Sequence, residues 1–188
     1  MRKGKTIVLG LGNLLLGDEG VGVHAIRYLQ AQKVELPPEV ELVDGGTAGL
    51  DLLPILEGAE QVIIVDAVRA GGAPGSIYRL GPEALRARGQ SKDKDNKDKD
   101  QDQGDNHNCN PNPELEPSPA VPLSLHQLSL EEVLRAGEFL GMDILPKITI
   151  IGVEPKRIAP TIELSSELER ALPQLIEAIL EEIGPNQA

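Results

Sequence analysis

Three aliphatic runs, each closed by a glycine- or aspartate-bearing turn, constrain this chain more than any other feature. Lys5 to Gly10 holds Ile7-Val8-Leu9 and closes on Gly10-Leu11-Gly12-Asn13. Val40 to Val43 closes on Asp44-Gly45-Gly46-Thr47, and Gln61 to Val65 closes on Asp66. Short apolar runs bounded by turn residues read as buried strands. Between them the spacing turns helical. Glu19 to Gln32 places Val21, Ala25, Ile26 and Leu29 on one face, with Asp18 positioned to cap the helix, and a second helix is expected over Ala48 to Leu56. A loop holding Gly71, Gly72, Pro74 and Gly75 leads into a strand over Ser76 to Leu80. Strand, turn and helix in this alternation predict an α/β layered domain.

The remaining ordered sequence extends the pattern. Ser129 and Glu132 have capping-box spacing ahead of a helix carrying Leu130, Val133, Leu134 and Leu140. Lys147 to Val153, with Ile148, Ile150 and Ile151, predicts a central strand. A final helix over Ser165 to Ile183 carries an unbroken apolar stripe, opens on a second capping box at Ser166 and Glu169, and stops at Gly184-Pro185. Between the two halves, Gln90 to Pro122 differs in kind. Ser91 to Asp105 has no apolar side chain, and Pro111 to Pro122 holds five of the fifteen prolines. Such a stretch buries too little surface to offset its ordering entropy, so a disordered insert, a solvated spacer, is expected at 90–122.

At 188 residues the chain supports one packed domain, interrupted by that insert. One Phe, two Tyr and no Trp leave the core to Leu, Ile, Val and Ala, which suits helices on a parallel-rich sheet. The same scarcity argues against stacking on bases or sugars. A net charge of -12 repels nucleic acid and anionic lipid, so neither is an expected partner. The single cysteine, Cys109, cannot close an internal disulfide. No run approaches the ~20 apolar residues of a membrane span, and no signal-peptide core follows Met1-Arg2-Lys3. A cytoplasmic location is the expectation.

Three acidic residues fall at or just after strand ends: Glu19, Asp44 and Asp66. In open α/β sheets ligands gather outside the carboxyl ends of the strands, so carboxylates delivered there from separate strands converge. His126 follows the insert in Leu123-Ser124-Leu125-His126-Gln127. Joined to Glu19 and Asp66, a neutral imidazole completes an N/O set suited to nickel or zinc. Each residue also has an ordinary structural reading. Glu19 favours a helix N-terminus, Asp44 suits an Asx turn before Gly45, Asp66 suits a loop cap, and a lone histidine is commonly structural. His24 and His107 carry little functional weight. Gly10-Leu11-Gly12 begins a dinucleotide fingerprint, but Leu15 stands at the third glycine position. Asp18-Glu19 also puts negative charge where a pyrophosphate would dock. The Walker, HExxH and GxSxG patterns are absent.

Taken together, Gly10-Leu11-Gly12-Asn13-Leu14-Leu15-Leu16-Gly17-Asp18-Glu19-Gly20-Val21-Gly22 resembles the opening of the hydrogenase maturation endopeptidases. The likeness continues through Asp44-Gly45-Gly46-Thr47, Val65-Asp66-Ala67, Gly72-Ala73-Pro74-Gly75, Ser124-Leu125-His126-Gln127 and Ile151-Gly152-Val153-Glu154-Pro155. It spans nearly the whole chain outside 90–122. The resemblance implies a three-layer α/β domain, a twisted, mostly parallel mixed sheet of about five strands with helices on both faces. It implies an aspartic-type endopeptidase that removes the C-terminal extension of a hydrogenase large-subunit precursor once nickel is inserted. The nickel is carried by the substrate rather than permanently bound. Glu19, Asp66 and His126 then correspond to the metal-contacting residues, with Glu19, Asp66 and Asp44 as catalytic residues and Asp44 near the scissile site. The precursor is the implied partner and the protein is expected to act as a monomer. A non-catalytic nickel-sensing maturation chaperone with the same crevice is the alternative.

Overall fold

The computed structural model describes residues 4–82, 125–142 and 147–184, with the side chains of 125–131 outside the description. The insert expected at 90–122 lies outside the described residues. Five strands form one sheet: β1 (Lys5–Leu11), β2 (Val40–Gly46), β3 (Ala59–Ala67), β4 (Ile77–Leu80) and β5 (Ile148–Val153). Their order is β2-β1-β3-β5-β4. The β1–β2, β1–β3 and β3–β5 pairs are parallel, and β4 runs antiparallel to β5.

The central strands are apolar on both sides because both faces of the sheet are covered. Alternate residues point to opposite faces, and the core divides accordingly. Ile7, Leu9, Leu11, Val62, Ile64, Ile148 and Ile150 pack with Leu52, Leu56, Val133 and Leu134 of α2 (Leu53–Leu56), its preceding turn and α3 (Leu125–Phe139). On the other face Val8, Ile63, Val65, Ile151 and Val153 pack against α1 (Val21–Ala31) and α4 (Ser166–Ile183). This is the expected three-layer arrangement with a mostly parallel mixed sheet. Among the described residues no helix is long and apolar enough to cross a membrane.

The structure corrects four local expectations. Asp18 does not cap α1: the cap position is Gly20, with no side-chain cap bond, and Asp18 bonds elsewhere in the chain. The helix expected over Ala48 to Leu56 is a 3-10 turn at Leu50–Leu52 followed by the short α2. Pro54 has no N–H to close an α-helical bond onto Leu50, so the α-helix begins only at Leu53. α3 starts at Leu125, which puts Ser129 and Glu132 inside the helix rather than at its cap. At α4 the cap residue is Ser165, and the Ser166 hydroxyl bonds Glu167 instead of closing a capping box with Glu169.

Candidate active site

The strand order changes direction at one point among the described strands. From β1 the chain crosses through α1 to β2 at one edge, whereas from β3 it continues to β4 and β5 at the other. The boundary between β1 and β3 is therefore a topological switch point, where the outgoing loops part and a ligand finds room. The loop after β1 returns over this point and ends in a 3-10 turn, Asp18–Gly20, that packs against β3. Two glycines permit this approach. Gly12 has φ +129, and a Cβ there would stand 1.9 Å from the Glu19 carbonyl oxygen. At Gly22 a Cβ would meet the Val65 carbonyl at 2.1 Å and that of Leu11 at 2.4 Å, so only glycine lets α1 sit this low on the two strands.

Two of the sequence-predicted residues lie on the elements that flank this switch point. Glu19, in the 3-10 turn, is 2% exposed, and Asp66, the penultimate residue of β3, is fully buried. Asp66 Oδ1 accepts the Ala67 N–H at 2.7 Å. By strand alternation Asp66 shares the face of Val62 and Ile64, the face that α3 covers. His126 lies in the first turn of α3, and its side chain is outside the described residues. Among the described residues no three His, Cys, Asp or Glu groups form a metal-ligand cluster.

Asp44 is placed differently. It shares the face of Val40 and Leu42, the α1 side, on an edge strand. Its register partner is Gly10, which also pairs with Val65. Asp44 thus stands two strand spacings, roughly 10 Å, from Val65 at the backbone. Its Oδ2 accepts bonds from Arg27 Nε at 3.1 Å and Nη2 at 3.0 Å, so α1 fixes the carboxylate's orientation. The sequence-predicted carboxylates therefore fall into two groups, Glu19 and Asp66 at the switch point and Asp44 beyond β1.

Two further buried carboxylates organise the same sheet edge. Glu154 directly follows β5, and its Oε2 accepts bonds from Ala70 N at 2.8 Å, Gly72 N at 3.1 Å and the Tyr78 hydroxyl at 3.0 Å. Burial, together with the bond to Glu154 and its negative charge, raises the Tyr78 phenol above its ordinary value. The strand-end rule that singled out Asp66 applies equally to Glu154 after Ile148–Val153, and sequence reasoning passed over it. Asp18, read from the sequence only as a helix cap, is fully buried and accepts three backbone N–H bonds from the segment after β5. His24, on α1, is held below the ordinary imidazole value by burial first and then by Arg27, against a backbone bond at Ile162. The loops following β1, β2 and β5 also present apolar side chains to solvent, at Leu15, Leu50 and Ile162.

Comparison with known proteins fits this picture. The family model for hydrogenase maturation proteases matches residues 23–96 and 117–182. The hydrogenase 2 maturation protease of Escherichia coli (strain K12) is 33% identical over 177 residues, covering 94% of this chain and 88% of that protein. A solved hydrogenase-maturating endopeptidase from E. coli superposes with a TM-score of 0.68 at 32% identity, over 94% of this chain and 90% of that one. A NiFe hydrogenase maturation protease from Thermococcus kodakarensis, 21% identical, shares the fold with a TM-score of 0.67 over 96% of this chain and 99% of its own.

Proposed function

Because the chain belongs to the hydrogenase maturation protease family, we propose that it is the endopeptidase that removes the C-terminal extension from a nickel-loaded hydrogenase large-subunit precursor. The observation that carries this reading is the pair of buried carboxylates, Glu19 and Asp66, at the switch point between β1 and β3. Two buried carboxylates on the elements that flank one switch point offer anionic oxygens to a cation carried in by the substrate. Together with His126 from α3 they provide the mixed oxygen and nitrogen donors that suit nickel. The metal is part of the substrate. A precursor without it brings no cation for these carboxylates to engage, and that difference in binding is the checkpoint.

Cleavage follows from how the peptide must run. With the metal held at Glu19 and Asp66, the extension crosses the end of β1 toward Asp44, so the metal fixes which peptide bond reaches that carboxylate. Asp44, oriented by Arg27, accepts the proton of the attacking water and returns it to the leaving amine. This is the aspartic-type role assigned to it. The exposed Leu15, Leu50 and Ile162 give a protein substrate apolar footing around the crevice. On this reading the protease works as a cytoplasmic monomer.

Mixing the protein with a nickel-loaded precursor and separating the products by size tests the reading. The expected result is a shortened large subunit that elutes away from the protease. A full-length precursor that co-elutes with this chain would show a non-cleaving nickel-sensing chaperone instead.

A further inference from the structure

Outside the proposed ligand set, Asp18 is a carboxylate held through both of its oxygens. It is fully buried. Its Oδ1 accepts the Ser165 N–H at 2.6 Å, while Oδ2 accepts those of Lys156 at 2.9 Å and Arg157 at 3.0 Å. All three donors are backbone groups in the segment that joins β5 to α4, and Ser165 is the cap residue of α4, where the helix dipole also favours a negative charge. The neighbouring residues reinforce the contact. Gly17 N bonds Thr161 O at 2.7 Å, Thr161 N bonds Leu15 O at 3.0 Å, and Ala159 N bonds Leu16 O at 3.3 Å. Residues 15–18 and 156–165 thus form one knitted unit lying over the end of β1.

Glu19 follows Asp18 directly, in the same three-residue turn. Gly12 lets the turn lie close on the end of β1, since a side chain there would push the Glu19 carbonyl away. From the other side the turn is held through Asp18 by the segment 156–165.

Resting on the reading of Glu19 as a ligand for the substrate's metal, we propose that Asp18 is a positioning residue that sets the reach of Glu19 by clamping segment 156–165 onto its turn. A neutral amide cannot take its place. An asparagine NH2 set at Oδ1 would face the Ser165 N–H, and set at Oδ2 it would face those of Lys156 and Arg157, donor against donor in either case. Released from the clamp, the turn keeps its glutamate but not the glutamate's place. Supporting residues of this kind act on metal recognition through the ligand they hold.

A double-mutant cycle separates positioning from simple stapling of the fold. The quantity read is kcat/KM for a nickel-loaded precursor, by mass spectrometry over incubations long enough to resolve slow variants. Asp18→Asn should lower it about 10–100-fold in the wild-type background. In the Glu19→Gln background the same substitution should change it less than about twofold, since there is no carboxylate left to position. An equal loss in both backgrounds would overturn the proposal and leave Asp18 a structural staple. No loss in either would overturn it as well. Should Asp18→Asn fail to fold, as judged by circular dichroism, Asp18→Glu keeps the charge, moves it by one methylene and enters the same cycle. Failure of the wild-type protein to cleave the precursor at all would instead count against the functional reading.

Discussion

Glu19→Gln is expected to slow maturation of a nickel-bearing precursor by about 100-fold or more while leaving the fold in place. The substitution keeps the volume of the side chain in a site where Glu19 is 2% exposed, so packing of the turn against β3 is preserved. What it removes is the negative charge, and an amide oxygen is a far poorer ligand for a divalent cation than a carboxylate. Changes to groups that merely support a ligand cost 10–100-fold in metal affinity, so loss of a ligand itself belongs at or beyond the upper end. The initial rate at which mature subunit appears, measured beside the thermal unfolding midpoint, checks this. A variant that melts like the wild type and retains most of its rate would remove Glu19 from the site.

Gly22→Ala should produce the second large effect, this time on stability. In an ordinary helix the change would be favourable by roughly 1 kcal/mol, because alanine is the better helix former. Here the added Cβ would meet two backbone carbonyls, Val65 at 2.1 Å and Leu11 at 2.4 Å. Both belong to central strands hydrogen-bonded on each side, so neither yields as a flexible side chain would. Overpacking of a rigid site costs about 1–3 kcal/mol and occasionally more, and this contact belongs at the top of that range. The clash outweighs the propensity. A net loss of about 2 kcal/mol corresponds to a fall in melting temperature of about 4–8 °C for a chain of this size. α1 would have to lift from β1 and β3, taking with it the turn that carries Glu19. An unfolding midpoint at or above that of the wild type would show that α1 is not held this closely.

Much of this architecture was legible in the sequence because the central strands carry the signal in their own composition. Ile7-Val8-Leu9 and Ile148 to Val153 are apolar on both faces because helices cover both faces, and a continuous apolar run is what such a strand must look like. The apolar stripe of α4 was readable for the same reason, since Leu168, Leu175, Ile176 and Ile179 pack on one side of the sheet. Failures came where a polar side chain had more than one use. Asp18 stands where a helix cap would stand, but its bonds go to backbone 138 to 147 residues away, a partner that no local pattern contains. The serines at 129 and 166 matched a capping box by spacing alone, but Ser129 lies inside its helix and the cap of α4 is Ser165, one residue earlier.

The candidate site was legible to the extent that strand ends mark it. The rule that carboxylates at strand ends face a crevice singled out Glu19, Asp44 and Asp66, and the fold buries Glu19 in the turn packed on β3 and Asp66 near the end of that strand. It passed over Glu154, although that residue follows β5 as Asp66 closes β3. It also could not say that Asp44 would project from the opposite face of the sheet. That depends on register: Asp44 pairs across Gly10, two strands from Val65, and side-chain direction changes with every residue. The ion pair with Arg27 likewise joins residues from different elements, β2 and α1, which only the packed fold brings together.

The most direct test of the central claim is the intact mass of a large-subunit precursor after incubation with this protein, with and without nickel loaded into the precursor. The account predicts loss of a C-terminal peptide from the nickel-loaded form alone, with the nickel-free form unchanged. Cleavage of both forms at equal rates would contradict the metal checkpoint at Glu19 and Asp66, and an unchanged mass in both would contradict the assignment of this chain as the processing protease.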